Sequence, residues 1–205
     1  MLSFTRSLGT NNEAFAIFVN EEYKYSDKKS IFSDDQIQKI NSFLKSLKSK
    51  NSKQDISSFD VSDKKKCFVI KVRKKYKSYF PQECGGNFLS QVKNFKDLDA
   101  IDFYPDTLNY EKKEMISFFS QFIFGFDIKS YTFNKYKTLK KENLNKKIEN
   151  KVITSYKENI EKNYKYYNAI KEGIFLSRDL VSEPPNVLNP KKYVQEIQKL
   201  SKLGL

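Results

Sequence analysis

Cys67-Phe68-Val69-Ile70-Lys71-Val72 is apolar on both faces at its centre. A short run of that kind suits a strand in the interior of a sheet, covered on both sides. Reading outward towards the N-terminus, Asp55 to Val61 predicts a neighbouring strand. Before it, Ser33 and Gln36 have capping-box spacing, and Ile37, Ile40, Phe43, Leu44 and Leu47 follow at helical intervals. That helix should end near Lys50, where Asn and Ser accumulate. Ala14 to Val19 is a second buried strand, stopped at Asn20. Towards the C-terminus, Pro81, Phe88, Leu89 and Val92 predict a helix over Phe80 to Lys93. Gly85 and Gly86 within it either weaken that helix or let another backbone come close. Leu98 to Phe103 reads as a strand halted by Pro105. Met115, Phe118, Phe119, Phe122 and Ile123 mark one stripe of a helix over Tyr110 to Phe126. Lys151 to Tyr156 adds a late strand, and a long helix runs from Glu158 towards Val181. Strands alternating with helices give an α/β class.

The 205 residues contain 39% hydrophobic and 15% aromatic side chains, enough to bury a sizeable core. There is no histidine. That excludes Ser-His-Asp and Cys-His nucleophilic machinery, HExxH metalloprotease sites and Cys2His2 zinc fingers. Cys67 and Cys84 are too few for a four-thiolate zinc site and read as reduced thiols. The most apolar stretch, Met115 to Ile128, is interrupted by Ser117, Ser120 and Gln121 and is short of a bilayer span. No signal-peptide core follows Arg6, so the expected location is the cytoplasm, without membrane association.

The net charge of +13 is localised. Residues 64–77 hold eight basic side chains and no acid, and residues 134–166 hold ten lysines against four glutamates. Basic stretches of this kind are the footprint of a nucleic-acid binder, which makes a DNA-binding module the alternative reading. Against it, only Arg6, Arg73 and Arg178 of the 38 basic residues are arginine, the side chain suited to bidentate phosphate and base contacts. Other motifs carry little. Cys84-Gly85-Gly86 has no histidine base beside it, and a packing cysteine is the plainer reading. Asp97, Asp99 and Asp102 flank a strand and offer a carboxylate pair only if two of them meet. There is no GxGxxG, Walker-type loop or GxSxG. A nucleotide or ADP-ribose pocket therefore lacks its glycine-rich phosphate loop.

Two segments do carry information. Arg178-Asp179-Leu180-Val181-Ser182-Glu183-Pro184-Pro185-Asn186-Val187-Leu188-Asn189-Pro190 closely resembles the segment that opens the catalytic domain of leucyl (cytosol) aminopeptidases. It departs from that pattern at Ser182, where the family usually has Asn, and at Asn189, where it usually has Thr. Asn189 can still cap the next helix, and Pro190 suits its first turn. That helix carries Tyr193, Val194, Ile197 and Leu200 on one face and ends at Gly204. The second segment, from Phe124-Gly125-Phe126-Asp127 through Tyr131-Thr132-Phe133 to Tyr136-Lys137-Thr138, resembles the close of a helix in the family's N-terminal domain. Glu83 to Gly86 is similar to an earlier Gly-Gly helix.

The resemblance implies a macro-domain-like mixed sheet flanked by helices over 1–156, a linker helix over 157–182, and a truncated start of a second α/β domain over 183–205. It implies a family chemistry of two divalent metals, zinc or manganese, acting on peptide substrates as a hexamer. The family's metal ligands lie in an NTDAEGRL motif and a metal-lysine segment, neither of which occurs here. No catalytic, cofactor-binding or metal-binding residue is therefore assigned, and the chain is expected to be the non-catalytic N-terminal portion of such an enzyme, inactive alone. The last helix should expose an apolar stripe, as a severed second domain would.

Overall fold

In the computed structural model of the chain, residues 2–6, 12–27, 31–95, 98–137 and 148–204 are described, with only the backbone at 202 and 203. The elements are β1 (Leu2–Thr5), β2 (Ala14–Val19), α1 (Asp34–Ser49), β3 (Ile56–Ser62), β4 (Lys65–Lys71), α2 (Phe80–Val92), β5 (Ala100–Tyr104), α3 (Lys112–Ser130), β6 (Glu149–Ile153), α4 (Lys157–Ser182) and α5 (Pro190–Lys199). The six strands form one mixed sheet in the order β1-β6-β5-β2-β4-β3. Every pairing is parallel except β3 with β4. β4, which contains Cys67-Phe68-Val69-Ile70, is interior as expected.

Alternation along the central strands explains the layers. Ala14, Ala16 and Phe18 of β2 face the core shared with α2 and α3, while Phe15, Ile17 and Val19 face α1 through Ile40, Leu44 and Leu47. The larger core is aromatic. Phe18 meets Phe119 and Phe122 edge-on at 5.5 and 5.4 Å, and Phe88 and Phe103 complete the cluster. Such pairs add roughly 0.5–1.5 kcal/mol beyond the area they bury. On the other face α1 opens with the full capping box: the Ser33 hydroxyl accepts from the Gln36 N–H, and the Gln36 side chain accepts from the Ser33 N–H at 3.1 Å.

The two glycines of α2 have separate roles. A Cβ on Gly85 would lie 1.9 Å from the carbonyl oxygen of Phe122, and one on Gly125 of α3 would lie 1.9 Å from that of Gln82. The helices therefore cross backbone to backbone, and only glycine fits at either point. Gly86 has no such constraint, its nearest neighbour being 3.7 Å away. The structure also adds β1, which the sequence pattern does not reveal, and begins the last strand at Glu149 rather than Lys151.

Candidate functional site

α3 ends with carbonyls that lack partners inside the helix. Arg178, near the C-terminus of α4, donates from Nη1 to the Ile128 carbonyl at 2.9 Å and lies over the Tyr131 ring at 5.4 Å. The Tyr131 hydroxyl donates to Asp179 Oδ1 at 2.7 Å, and its ring packs on Phe175 at 5.1 Å. One turn further, Glu183, the C-cap of α4, accepts from Lys135 Nζ and from the Tyr136 hydroxyl. These bonds hold the Glu183 carboxyl below its ordinary range, and the same bond raises Lys135. Burial, with the Asp179 hydrogen bond second, pushes the Tyr131 phenol up. Further back along the same seam, the Tyr164 hydroxyl donates to Asp127, Lys171 stands 3.6 Å from that carboxylate, and Phe124 packs on Tyr167 at 5.3 Å. Burial and then Asp127 raise the Tyr164 phenol.

The two recognisable segments, 124–138 and 178–190, are thus the two halves of one clasp. Thr138 lies outside the described residues. Beyond the clasp, Asn189 caps α5 by accepting from the Lys192 N–H at 3.0 Å, with Pro190 in its first turn. α5 has no buried residue, and Tyr193, Val194 and Ile197 stand exposed, as does Val181 at 87%.

The other sequence candidates lead away from chemistry. Asp97 lies outside the described residues. Asp99 is exposed, whereas Asp102 is 1% exposed inside β5, where Asn12 donates to it at 2.7 Å and burial raises its carboxyl. Cys84 lies on the buried face of α2, and burial pushes its thiol up to about 12; Cys67 is raised likewise. Both are therefore poor nucleophiles. At the carboxyl ends of the parallel strands, where open α/β sheets bind ligands, there is a cavity of only about 100 Å³ lined by Asp106, Tyr110 and Tyr156. Asp106 there accepts from the Thr154 hydroxyl and, at 2.8 Å, from the Ser155 N–H. A carboxylate takes the donors a phosphate would need, and the space is well below the ~300 Å³ of ordinary ligand pockets. Among the described residues no three His, Cys, Asp or Glu side chains group as metal ligands. Asp55 is engaged by Arg73, Asp127 by Tyr164 and Lys171, and Glu183 by Lys135 and Tyr136. These side chains do not fit a metal pair.

The basic run over 64–77 is partly consumed by the fold. Lys66 pairs with Asp60, Arg73 with Asp55 at 2.9 Å, and Lys71 donates to the Ser52 carbonyl at 2.9 Å. Of the run over 134–166, residues 138–147 lie outside the described residues. Among the described residues no helix is long and apolar enough to cross a membrane.

The residues thus define a class by fold, a mixed-sheet α/β domain whose α3 and α4 are joined at a clasp. Comparison with known proteins narrows that class. No family profile matches the sequence. A probable cytosol aminopeptidase of Agrobacterium fabrum is 34% identical over 115 residues, covering 55% of this chain and 23% of that protein. One from Phytoplasma mali is 32% identical over 126 residues, covering 60% of this chain and 24% of that protein. The matched region thus spans about a quarter of the length of these curated relatives. In fold, a tomato leucine aminopeptidase mutant matches 98% of this chain and 42% of its own at a TM-score of 0.68 and 17% identity. A bottromycin maturation enzyme, BotP, in complex with Mn matches 93% of this chain and 36% of its own at 0.58. The chain resembles the N-terminal domain region of the leucine aminopeptidase family. Nothing in these likenesses supports the DNA-binding alternative.

Proposed function

We infer that this chain is the N-terminal, non-catalytic portion of a leucyl aminopeptidase-like exopeptidase that releases N-terminal amino acids from peptides. Residues 1–156 form the N-terminal domain, 157–182 the linker helix, and 183–205 the start of the catalytic domain. The whole enzyme would work in the cytoplasm as a hexamer, and its two zinc or manganese ions, held by residues other than those described here, would supply the Lewis-acid chemistry of hydrolysis. The observation that carries this reading is the clasp. The two segments that resemble the family lie 40 residues and more apart in sequence, yet they pack on one another at the C-terminal end of α4, which supports this reading.

In this reading the domain contributes geometry. Arg178 closes the end of α3, Tyr131 and Asp179 fix the rotation of α4, and Pro184 and Pro185 stiffen the departing chain. No residue of the chain is given a chemical step. The test is a peptidase assay on the purified 205-residue chain with a leucyl dipeptide and added Mn²⁺ or Zn²⁺. The expected result is background hydrolysis; metal-dependent turnover that a chelator abolishes would overturn the non-catalytic assignment.

A further inference from the structure

α5 is unusual in this chain in resting on almost nothing. It buries no residue, and a cavity of about 400 Å³ lies between the 132–135 segment and the helix, with Leu180, Val187 and Lys192 on its wall. Its direction must therefore come from the segment that leads to it. That segment is stiff. Pro184 and Pro185 lock φ and hold the residue before each of them extended, and Glu183 is indeed extended at φ −72°, ψ 134°. A tight turn comes next, in which the N–H groups of Val187 and Leu188 both donate to the Pro184 carbonyl at 2.9 Å. Asn189 then caps α5 directly. From Glu183 to Lys199 the chain behaves as a short rod joined to a helix, so whatever seats the first residue of the rod aims the rest.

Glu183 is that first residue, and its seat is made by the other half of the clasp. Lys135 pairs with one carboxylate oxygen and the Tyr136 hydroxyl donates to the other, leaving the side chain only 10% exposed. Lys192, in the first turn of α5 and on the wall of the same cavity, adds its charge. We propose that Glu183 is a positioning residue, a latch whose two-point attachment to Lys135 and Tyr136 sets the direction in which the chain leaves the linker helix. Pairs near the surface add little to global stability, so the latch governs orientation while the aromatic core governs folding. This holds for the chain itself and does not depend on the peptidase reading.

The experiment is a distance measurement between spin labels on Ser90→Cys of α2 and Gln198→Cys of α5, both exposed positions. Cys67 and Cys84 are buried and leave the labelling specific. The parent should give one narrow distribution. Glu183→Ala should broaden it at least about twofold with an unchanged melting temperature, because a low-stability attachment opens without global unfolding. Lys135→Glu should broaden it as well, and combining it with Glu183→Lys should narrow it again. Replacing Pro184 and Pro185 by glycine should broaden it with the latch intact. A narrow distribution in Glu183→Ala, or a broad one in the parent, overturns the proposal. So does a charge-swapped pair that fails to recover.

Discussion

Adjacent glycines in α2 should respond to the same substitution with opposite signs. In Gly85→Ala the new Cβ begins 1.9 Å from the Phe122 oxygen, 2.8 Å from its carbon and 2.9 Å from the Phe126 nitrogen. All three are backbone atoms of α3, so no rotamer change relieves them. Reaching even the 3.0 Å limit requires the helices to part by about 1.1 Å, the difference between those two distances. A gap of 0.5–1 Å already forfeits a quarter to a half of the dispersion attraction across an interface. This interface holds Phe88, Phe122 and Phe126. Overpacking of this kind costs about 3 kcal/mol at the upper end of its usual range. The better helix propensity of alanine returns about 1 kcal/mol, leaving Gly85→Ala about 2 kcal/mol less stable. Gly86→Ala meets nothing closer than 3.7 Å and keeps only the gain, about 0.5–1 kcal/mol. The neighbours should thus differ by about 3 kcal/mol, or roughly 6–12 °C in melting temperature for a domain of this size. Thermal melts followed by circular dichroism read this directly. Equal melting temperatures, or a lower one for Gly86→Ala, would refute the close crossing of α2 and α3.

The same geometry sets three further outcomes. Ser33→Ala removes one half of the capping box and should cost about 1 kcal/mol in denaturant titration. A thiol reagent at neutral pH should label neither cysteine until the chain unfolds, since burial holds Cys84 at about 12 and Cys67 well above its ordinary value. Carboxyl-carbon NMR should find Glu183 titrating below the ordinary glutamate value. With the folded pKa depressed, its attachment is fully present above the unfolded value and is lost as pH falls through the folded one. A midpoint at or above the ordinary value would contradict the latch.

The elements with strong local signals were legible in the sequence. The apolar run Ala14–Val19 forms β2 with those bounds, the Ser33–Gln36 capping box starts α1, and Pro105 stops β5. Leu2–Thr5 was not, because four residues at a sheet edge leave too short a pattern to show an alternation. Gly85 and Gly86 left open whether the pair weakens the helix or admits a backbone, and only the partner carbonyl on α3 decides it. The clasp was half legible. Both its segments stood out, yet propensity and periodicity carry no term that joins Tyr131 to Asp179 or Arg178 to the Ile128 carbonyl across such separations. The basic run over 64–77 read as unspent charge for the same reason, since its partners Asp60, Asp55 and Ser52 come from β3 and the segment just before it.

The central claim is that these residues are the front of a peptidase. The most direct measurement isolates the product from its native cells with an antibody to this chain, then determines its mass and its hydrolysis of a leucyl dipeptide before and after chelation. The expected product is a polypeptide well beyond 205 residues whose activity disappears with the metal. A product of just these 205 residues, with no such activity, would contradict the claim.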